Sequence, residues 1–409
     1  MMFQILPISE LCTLISRGIS PAYDDEGIPV LSQKCIRDNL VLFEAARITN
    51  PNKKKVPSEK LIRPYDVLVN STGVGTLGRV AQVKRVEGQV TVDSHVSIVR
   101  PHPAKIDPLF FGYAMVLNQP MIEAMGEGAT GQTELSRTRL GANTYVPLPT
   151  LPIQRRIAGI LSAYDELIEN SQRRIKILEA MAGALYREWF VHFRFPGHES
   201  VPRVPSPLGD IPKGWEVKPF TDIADVLSGG TPKTDVTEYW NGEIPFFTPR
   251  DAPDCFYVQD TDKHVTALGL SKCASELYPP DTVFITARGT VGKVALPSVP
   301  MAMNQSCYAL RGKPNFPQRF VFLMTLQQVD FLKTNTGGAT FDTIVVDTFR
   351  RMDVVRPVRD IVALFVKKAD AIFDQVTTLQ RQIQNLRRTR DLLLPRLLTG
   401  QIDVEAMPS

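Results

Sequence analysis

Two glycine-rich segments are the first candidates for chemistry in this chain, because glycine-rich loops can bind phosphate groups. Residues 73–78 match the GxGxxG pattern of dinucleotide-binding loops. That function requires a helix directly after the glycines, whereas residues 79–84 have the alternating pattern of a strand. The related segment 287–293 lacks the first glycine, and Gly289 and Gly292 are too close together for a GxxxxGK loop. Both segments therefore predict a strand–turn–strand hairpin and no nucleotide site.

Catalytic and metal-binding patterns are missing from the sequence. It contains no GxSxG or HExxH motif, and His95 and His264 lie outside any metal-spaced cluster. The five cysteines form no CxxC pair, which indicates a reducing compartment, no disulfide framework and no zinc site. No apolar run reaches the roughly 18 residues of a membrane span. The sequence therefore predicts a cytoplasmic protein with no catalytic residue, no metal or cofactor of its own and no membrane segment.

Basic residues in polar loops are the remaining candidates for a binding function. The chain carries 47 Lys and Arg against 43 Asp and Glu, a formal net charge of +4. The densest basic run is Lys53–Lys55, beside a Pro-Asn turn. Such a run is commonly only a solvated surface, but in a nucleic-acid-binding protein it would contact phosphates. Two small-residue loops, 126–139 and 336–343, can either bring the backbone close to a ligand or make tight connections.

Two long helices must position these loops. The first is predicted over 151–195, with one polar position, Ser171, in its heptad seam. At 1.5 Å per residue this helix would be on the order of 55 Å long. The second is predicted from Pro357 to Leu394, with Pro395 and Gly400 marking its end. The apolar seam residues are Leu161, Ile168, Ile175, Ala182 and Trp189 in the first helix and Ala369, Val376, Ile383 and Leu397 in the second.

The second half of the sequence repeats the first. Residues from Pro7 resemble those from Pro219, the run from Tyr65 matches the run from Pro280, and 93–100 resembles 304–311. The fold class is therefore predicted to be α+β: two similar mixed α/β domains separated by two long helices. We expect the helices to pair as an antiparallel coiled coil with a pseudo-two-fold axis within one chain. The alternative is that each helix packs on its own domain as an ordinary core helix.

The predicted order of segments is a first domain, a helix, a linker, a second domain, a second helix and a tail. Their boundaries are 1–150, 151–195, 196–213, 214–355, 356–400 and 401–409.

Four phrases in this order carry a family resemblance. They are PTLPIQRRI at 149–157, LYREWFV at 185–191, IPKGW at 211–215 and LLPRLLTGQI at 393–402. Together with the internal repeat, they resemble the specificity subunit of type I restriction-modification systems. The resemblance covers essentially the whole chain. It implies a subunit without catalytic residues, whose two target-recognition domains each read one half of a bipartite, asymmetric site in double-stranded DNA.

The resemblance also implies the partners. The helices would set the unread gap and bind two methyltransferase subunits, and two motor-nuclease subunits would join for cleavage. S-adenosylmethionine, ATP and Mg would be bound by those subunits, and Arg173, Arg174 and Lys176 on the outer face of the first helix would be available to a partner. The alternative function is a two-headed protein-interaction scaffold that does not bind DNA. The candidate DNA-binding residues are Lys53, Lys54, Lys55, Arg79, Gln132, Arg137, Arg139, Arg250, Arg288, Lys293, Lys333 and Thr340.

Overall fold

The computed structural model describes residues 3–127, 133–335 and 343–406, and only the backbone of 331–335. The chain divides into two compact units. The first unit comprises the residues up to Ile168 together with those from Asn385, and the second comprises Glu169–Gln384. Each unit therefore contains one mixed domain and a segment of both long helices. The α+β class and the duplicated domain are confirmed.

The first domain consists of short strands with three short helices and one longer helix. Its helices are α1 (Ile8–Leu11), α2 (Pro108–Leu117), α3 (Gln119–Ala124) and α4 (Arg137–Asn143). Its strands are β1 (Gln4–Pro7), β2 (Cys12–Arg17), β3 (Tyr23–Leu31), β4 (Ile36–Arg37), β5 (Leu40–Val41), β6 (Arg47–Thr49), β7 (Val67–Asn70), β8 (Val80–Gln82), β9 (Thr91–Val92), β10 (Val96–Pro101) and β11 (Tyr145–Leu148).

The first long helix, α5 (Leu151–Phe190), leads into the second domain. The predicted linker, 196–213, contains a short antiparallel hairpin of β12 (Arg203–Val204) and β13 (Ile211–Pro212). The other strands of this domain are β14 (Glu216–Pro219), β15 (Ala224–Ser228), β16 (Trp240–Phe247), β17 (Tyr257–Val258), β18 (His264–Val265), β19 (Val283–Thr286), β20 (Val294–Pro297), β21 (Ala302–Met303), β22 (Cys307–Gly312) and β23 (Asp353–Arg356). Its helices are α6 (Ala267–Ser271), α7 (Gln318–Asn335) and α8 (Val346–Arg351), and the second long helix is α9 (Arg359–Leu398).

The two domains have the same strand topology. The first domain has a sheet in the order β2-β10-β7-β8, and the second has the corresponding order β15-β22-β19-β20, extended by β17. In both, a second sheet places one strand between an antiparallel and a parallel neighbour, as β6-β3-β9 and as β18-β16-β21. In each domain the first strand pairs with the last strand, which directly precedes the long helix. These pairs are β1-β11 in the first domain and β14-β23 in the second. The sequence repeat is therefore a structural repeat.

Within each unit, the long helices pair with opposite chain directions. In the first unit, Ile157 and Leu161 near the start of α5 share a core with Leu397 near the end of α9. In the second unit, the rings of Trp189 and Phe365 are 5.6 Å apart, so that late α5 meets early α9. The first-unit helix residues also belong to the core of the first domain. The two alternatives drawn from the sequence are therefore not exclusive, because these helices pair with each other and also cover a domain core.

The predicted seam is buried in both helices. Its members have exposed fractions of 7% or less, and the polar position Ser171 is only 5% exposed. Two predicted helix ends are wrong. The first helix was predicted to reach 195, but α5 ends at Phe190, because the chain turns at Phe193, whose φ is +58°. Pro395 does not end α9, which continues to Leu398. Proline removes a single helix hydrogen bond here, while Leu397 and Leu398 are buried in the first-unit core. Their apolar burial outweighs the lost bond, and the chain leaves the helix before Gly400, whose φ is +73°.

A carboxyl group lies between α5 and the second domain. Glu179 on α5 accepts a hydrogen bond from the Phe256 backbone amide at 2.7 Å. Burial raises the pKa of Glu179 to about 7, against the opposing effects of that hydrogen bond and of Lys176. The Cys255 thiol lies in the same cluster and receives a weak hydrogen bond from Gln380 on α9 at 3.8 Å. This carboxyl group therefore holds its proton more tightly in the folded unit than in the unfolded chain.

We expect the second unit to lose stability as the pH rises from about 5 to about 7. Glu179 has a raised pKa when folded, so its stabilising contribution is complete below the unfolded value of about 4.3 and is lost as the pH passes the folded value. The expected loss is on the order of 2 kcal/mol. Urea unfolding followed by tryptophan fluorescence measures it, and Glu179→Gln should remove most of the slope. An unchanged slope in that variant would contradict the assignment.

Candidate nucleic-acid interface

The first glycine-rich segment is the turn of a hairpin, as the sequence predicts. Strands β7 and β8 pair antiparallel, and Gly73, Gly75 and Gly78 between them all have positive φ. The backbone of Gly78 lies against the domain, where an added Cβ would come within 2.6 Å of the Cα of Glu123. The predicted DNA-binding residue Arg79 donates to the Gly75 carbonyl at 2.9 Å and so holds the turn. Contacts therefore hold the turn at Gly78 and Arg79, whereas its tip at Gly75 has no neighbour among the described residues within 4 Å of an added Cβ.

Polar side chains line this turn. Thr72 Oγ1 is 2.8 Å from His95 Nδ1, and the Gln33 amide donates to the same Thr72 hydroxyl. His95 is exposed and follows a tight turn in which the Asp93 carboxylate accepts the His95 amide at 2.9 Å. At the tip, Val74 has 79% of its surface exposed, the largest fraction among the large hydrophobic residues in the described ranges. These residues were missed by sequence reasoning, which treated His95 as an isolated histidine.

The second domain has a shorter turn in the same place. Strands β19 and β20 pair antiparallel, and Gly289 and Gly292 have φ of +79° and +76°. The predicted residue Arg288 is exposed at this turn and forms no hydrogen bond or ion pair with any residue that the structure describes. Beside it, the Thr231 hydroxyl bonds the exposed Gln305 side chain. An unpaired guanidinium and a terminal amide are thus presented at this turn.

The predicted basic run of the first domain lies on a separate loop after β6. Lys53, Lys54 and Lys55 are all exposed. Lys53 is 2.7 Å from Asp24, and hydrogen bonds from Lys53 and Asn50 lower the pKa of that carboxyl to about 2. Lys54 and Lys55 form no ion pair within the described ranges and present mobile cations, which is what phosphate contact requires.

Two other predicted residues of the first domain lie at the start of α4. Arg137 is exposed, whereas Arg139 is partly buried and forms an ion pair with Glu127. Gln132 lies outside the described residues. Arg137 is therefore the better placed of the two arginines for a ligand, because Arg139 already has a carboxylate partner.

The remaining predicted residues of the second domain are dispersed. Arg250 is exposed on the loop after β16. Lys293, at the far end of the glycine turn from Arg288, forms an ion pair with Asp254. The Lys333 side chain and Thr340 lie outside the described residues. The structure thus brings Arg288 and Lys293 to one turn, and the loop that carries Arg250 reaches this turn through Asp254.

The three residues predicted to contact a partner subunit share the exposed side of α5. Arg173, Arg174 and Lys176 are all exposed. Arg173 forms a single ion pair, with Glu169 one turn earlier at 3.5 Å. Exposed pairs of this kind are weak, so the three cations are accessible.

Two other properties bear on the kind of site. In the described ranges, no group of His, Cys, Asp and Glu is arranged to hold a metal ion. The same ranges contain no helix of sufficient length and apolarity to cross a membrane. A duplicated domain that presents different side chains on matching turns favours a recognition function.

Comparisons with known proteins identify the family. The family model of the type I restriction modification DNA specificity domain matches residues 3–180 and again residues 212–387. The HindI specificity subunit of the type I restriction enzyme of Haemophilus influenzae is 23% identical, over 95% of this chain and 98% of that protein. The MjaIX specificity subunit of Methanocaldococcus jannaschii is 30% identical, over 37% of this chain and 36% of that protein. The chain therefore belongs to the type I restriction modification DNA specificity family and contains two copies of its domain.

A solved structure supports the fold. The crystal structure of the type I restriction-modification system S subunit from M. genitalium matches with a TM-score of 0.54 at 16% identity, over 97% of this chain and 96% of that one. Members of this family supply DNA specificity, so the chain is a specificity component and not a catalytic subunit.

Proposed function

We propose that this chain gives a type I restriction-modification complex its DNA sequence specificity. Each recognition domain binds one half of a bipartite target, and the target is asymmetric because the two domains differ in sequence. The observation that carries this proposal is the duplicated domain, with one strand topology and unlike side chains on its two turns. A homodimer would present identical domains and would read a palindrome. A duplicated chain is free to read two different half-sites.

The long helices are proposed to set the unread gap and to bind the partners. Within each unit they pair antiparallel and pack on the recognition domain, which supports a fixed spacer. The proposed partners are two methyltransferase subunits and two motor-nuclease subunits, in the cytoplasm. The accessible cations Arg173, Arg174 and Lys176 are the proposed contacts on α5. S-adenosylmethionine, ATP and Mg would be bound by those partners.

Exchanging one recognition domain tests the proposal. Residues 1–150 are replaced by the corresponding domain of a relative, the chain is produced with its methyltransferase subunits, and methylated sites are mapped by single-molecule sequencing. We expect one half of the target to change while the other half and the gap stay the same. The matched exchange of residues 214–355 should change the opposite half. Changes in both halves from either exchange, or in neither, would contradict the proposal.

A further inference from the structure

The two recognition domains support their glycine turns with the same backbone hydrogen bonds. In the first domain the Ser71 amide donates to the His95 carbonyl at 2.8 Å, and in the second the Ala287 amide donates to the Ser306 carbonyl at 2.8 Å. A later segment of each domain is attached in the same way. The Leu135 amide donates to the Ser71 carbonyl at 2.8 Å, as an Ile344 amide does to the Ala287 carbonyl at 3.0 Å.

The neighbouring turn is also the same in both domains. The Asp93 carboxylate accepts the His95 amide at 2.9 Å, and the Asn304 side-chain oxygen accepts the Ser306 amide at 3.0 Å. A glycine presses against each of these turns. A Cβ added to Gly18 would lie 2.0 Å from the Val92 carbonyl oxygen. Neither copy has space for a side chain at that point, so the backbone is tightly fixed.

Gly229 of the second domain makes the same contact as Gly18 of the first. A Cβ added to Gly229 would lie 2.1 Å from the Asn304 carbonyl oxygen. The Gly18 amide donates to the Val96 carbonyl, and the Gly229 amide donates to the equivalent Cys307 carbonyl. We refer to this arrangement of two turns, a glycine contact and shared hydrogen bonds as the recognition frame of each domain.

The exposed side chains on the recognition frame differ between the domains. The position after Ser71 is Thr72, and the equivalent position after Ala287 is Arg288. The first turn is longer and presents Val74 at its tip, whereas the described part of the second has no exposed large hydrophobic residue there. A shared frame with unlike side chains is what two domains need if one docking geometry must read two different sequences.

The chemistry of these side chains matches base edges. A guanidinium donates two parallel hydrogen bonds to N7 and O6 of guanine in the major groove, and that pattern distinguishes guanine from the other bases. An apolar side chain contacts the C5 methyl group of thymine, which adenine, guanine and cytosine lack. Arg288 has no competing partner among the described residues, and Val74 is 79% exposed, so both are free for such contacts.

We propose that the two recognition frames are the base-reading edges of the domains. This proposal rests on the proposed function above. Arg288 reads a guanine in the half-site of the second domain. Val74 reads the methyl group of a thymine in the half-site of the first, beside the Thr72–His95 pair. Lys54 and Lys55 lie outside the frame and contribute phosphate contacts, which carry affinity without sequence information.

Modified DNA bases test the Arg288 contact directly. The complex assembled with methyltransferase subunits is assayed for methylation rate on its target and on targets with 7-deazaguanine at each guanine of the second half-site. The replacement removes the N7 acceptor and keeps O6, so one such replacement should slow the wild-type complex roughly threefold to tenfold. Arg288→Ala loses both bonds and should be slowed roughly 10- to 100-fold on ordinary DNA. The variant should lose nothing further on the modified DNA. A further loss of the same size at every position would overturn the assignment of Arg288.

Val74 is tested in the same way with uracil in place of thymine. One replacement in the first half-site should slow the wild-type complex roughly threefold to tenfold. Val74→Ala keeps a single methyl group and should respond clearly less to that replacement. Both variants change exposed side chains, so folding is unaffected. Lys54→Ala is the control: it should slow methylation of all sequences equally and reduce the salt dependence. If Val74→Ala responds to every uracil as the wild type does, the contact is excluded.

The domain exchange separates this inference from the proposed function. If exchanging 214–355 changes the second half-site while Arg288→Ala leaves all base preferences intact, only the assignment of the recognition frame is wrong. If the exchange changes neither half-site, the proposed function itself is wrong.

Discussion

Replacing Phe365 with alanine is expected to lower the free energy of unfolding of the second unit by about 4 kcal/mol. Phe365 on α9 is fully buried, with its ring 4.9 Å from that of Phe190 and 5.6 Å from that of Trp189 on α5. The rings of Tyr186 and Phe320 are 6.0 and 6.3 Å away. Truncation removes the ring from water-free packing and leaves a cavity that these aromatic neighbours cannot fill.

The tryptophans make this measurement specific. The three in the chain are Trp189, Trp215 and Trp240, and all belong to the second unit. Urea unfolding followed by tryptophan fluorescence therefore reports on that unit. The control is Leu364→Ala at the neighbouring position, which is 39% exposed and should cost less than about 1 kcal/mol. Equal losses in the two variants would show that the cluster does not stabilise the pairing.

The helices could be predicted from the sequence because their period repeats many times. Five seam residues of α5, seven apart, all proved buried, and a single polar position such as Ser171 did not break the pattern. The end of α9 was harder to predict. A proline signal at Pro395 is local, whereas the burial of Leu397 and Leu398 depends on the first-unit core. Tertiary packing prevailed over the local signal.

The candidate site was harder to predict because it depends on contacts between distant residues. The sequence predicts that Lys53 and Lys293 bind DNA, but Asp24 and Asp254 pair with them from other parts of the chain. His95 was set aside because no neighbour in sequence gave it a role, although Thr72 Oγ1 lies 2.8 Å from its ring. The repeat did contain the signal. The alignment of 93–100 with 304–311 marks the turns on which both recognition frames are built.

A partly buried ion pair interrupts the seam of α9 in the first unit. Arg390 lies seven residues after Ile383 and seven before Leu397, where the pattern calls for an apolar side chain. Its guanidinium bonds the Asp165 carboxylate of α5 at 2.7 Å, and the Asp165 side chain is only 14% exposed.

Two groups of the first domain complete this cluster. The Tyr113 hydroxyl donates to Asp165 at 2.8 Å, and Lys84 is 3.4 Å from the same carboxylate. Burial alone would raise the pKa of Asp165, but the hydrogen bond from Arg390 and the charge of Lys84 lower it overall. Asp165 is therefore ionised in the folded unit and depends on Arg390 as its main cation.

We expect Arg390→Leu to destabilise the first unit by about 3 kcal/mol, because Asp165 would remain buried with only the partly exposed Lys84 as a cation. The double variant Asp165→Leu with Arg390→Leu should recover to within about 1 kcal/mol of the wild type, since it restores an apolar seam. The first unit contains no tryptophan, so its unfolding is followed by far-UV circular dichroism, with tryptophan fluorescence reporting the second unit separately. The control is Arg155→Leu, an arginine 70% exposed and 4.0 Å from Asp107, which should change stability by about 0.5 kcal/mol or less.

The pH dependence distinguishes the two variants further. Asp165 has a lowered pKa when folded, so its contribution is present above the unfolded value of about 3.9 and is lost as the pH falls through the folded value. The wild type should lose this contribution in acid, whereas the double variant should not. Recovery of stability in the double variant would mean that the pair adds little net stability to the packing of α5 on α9. A double variant as unstable as Arg390→Leu would instead show that the ion pair itself stabilises the unit.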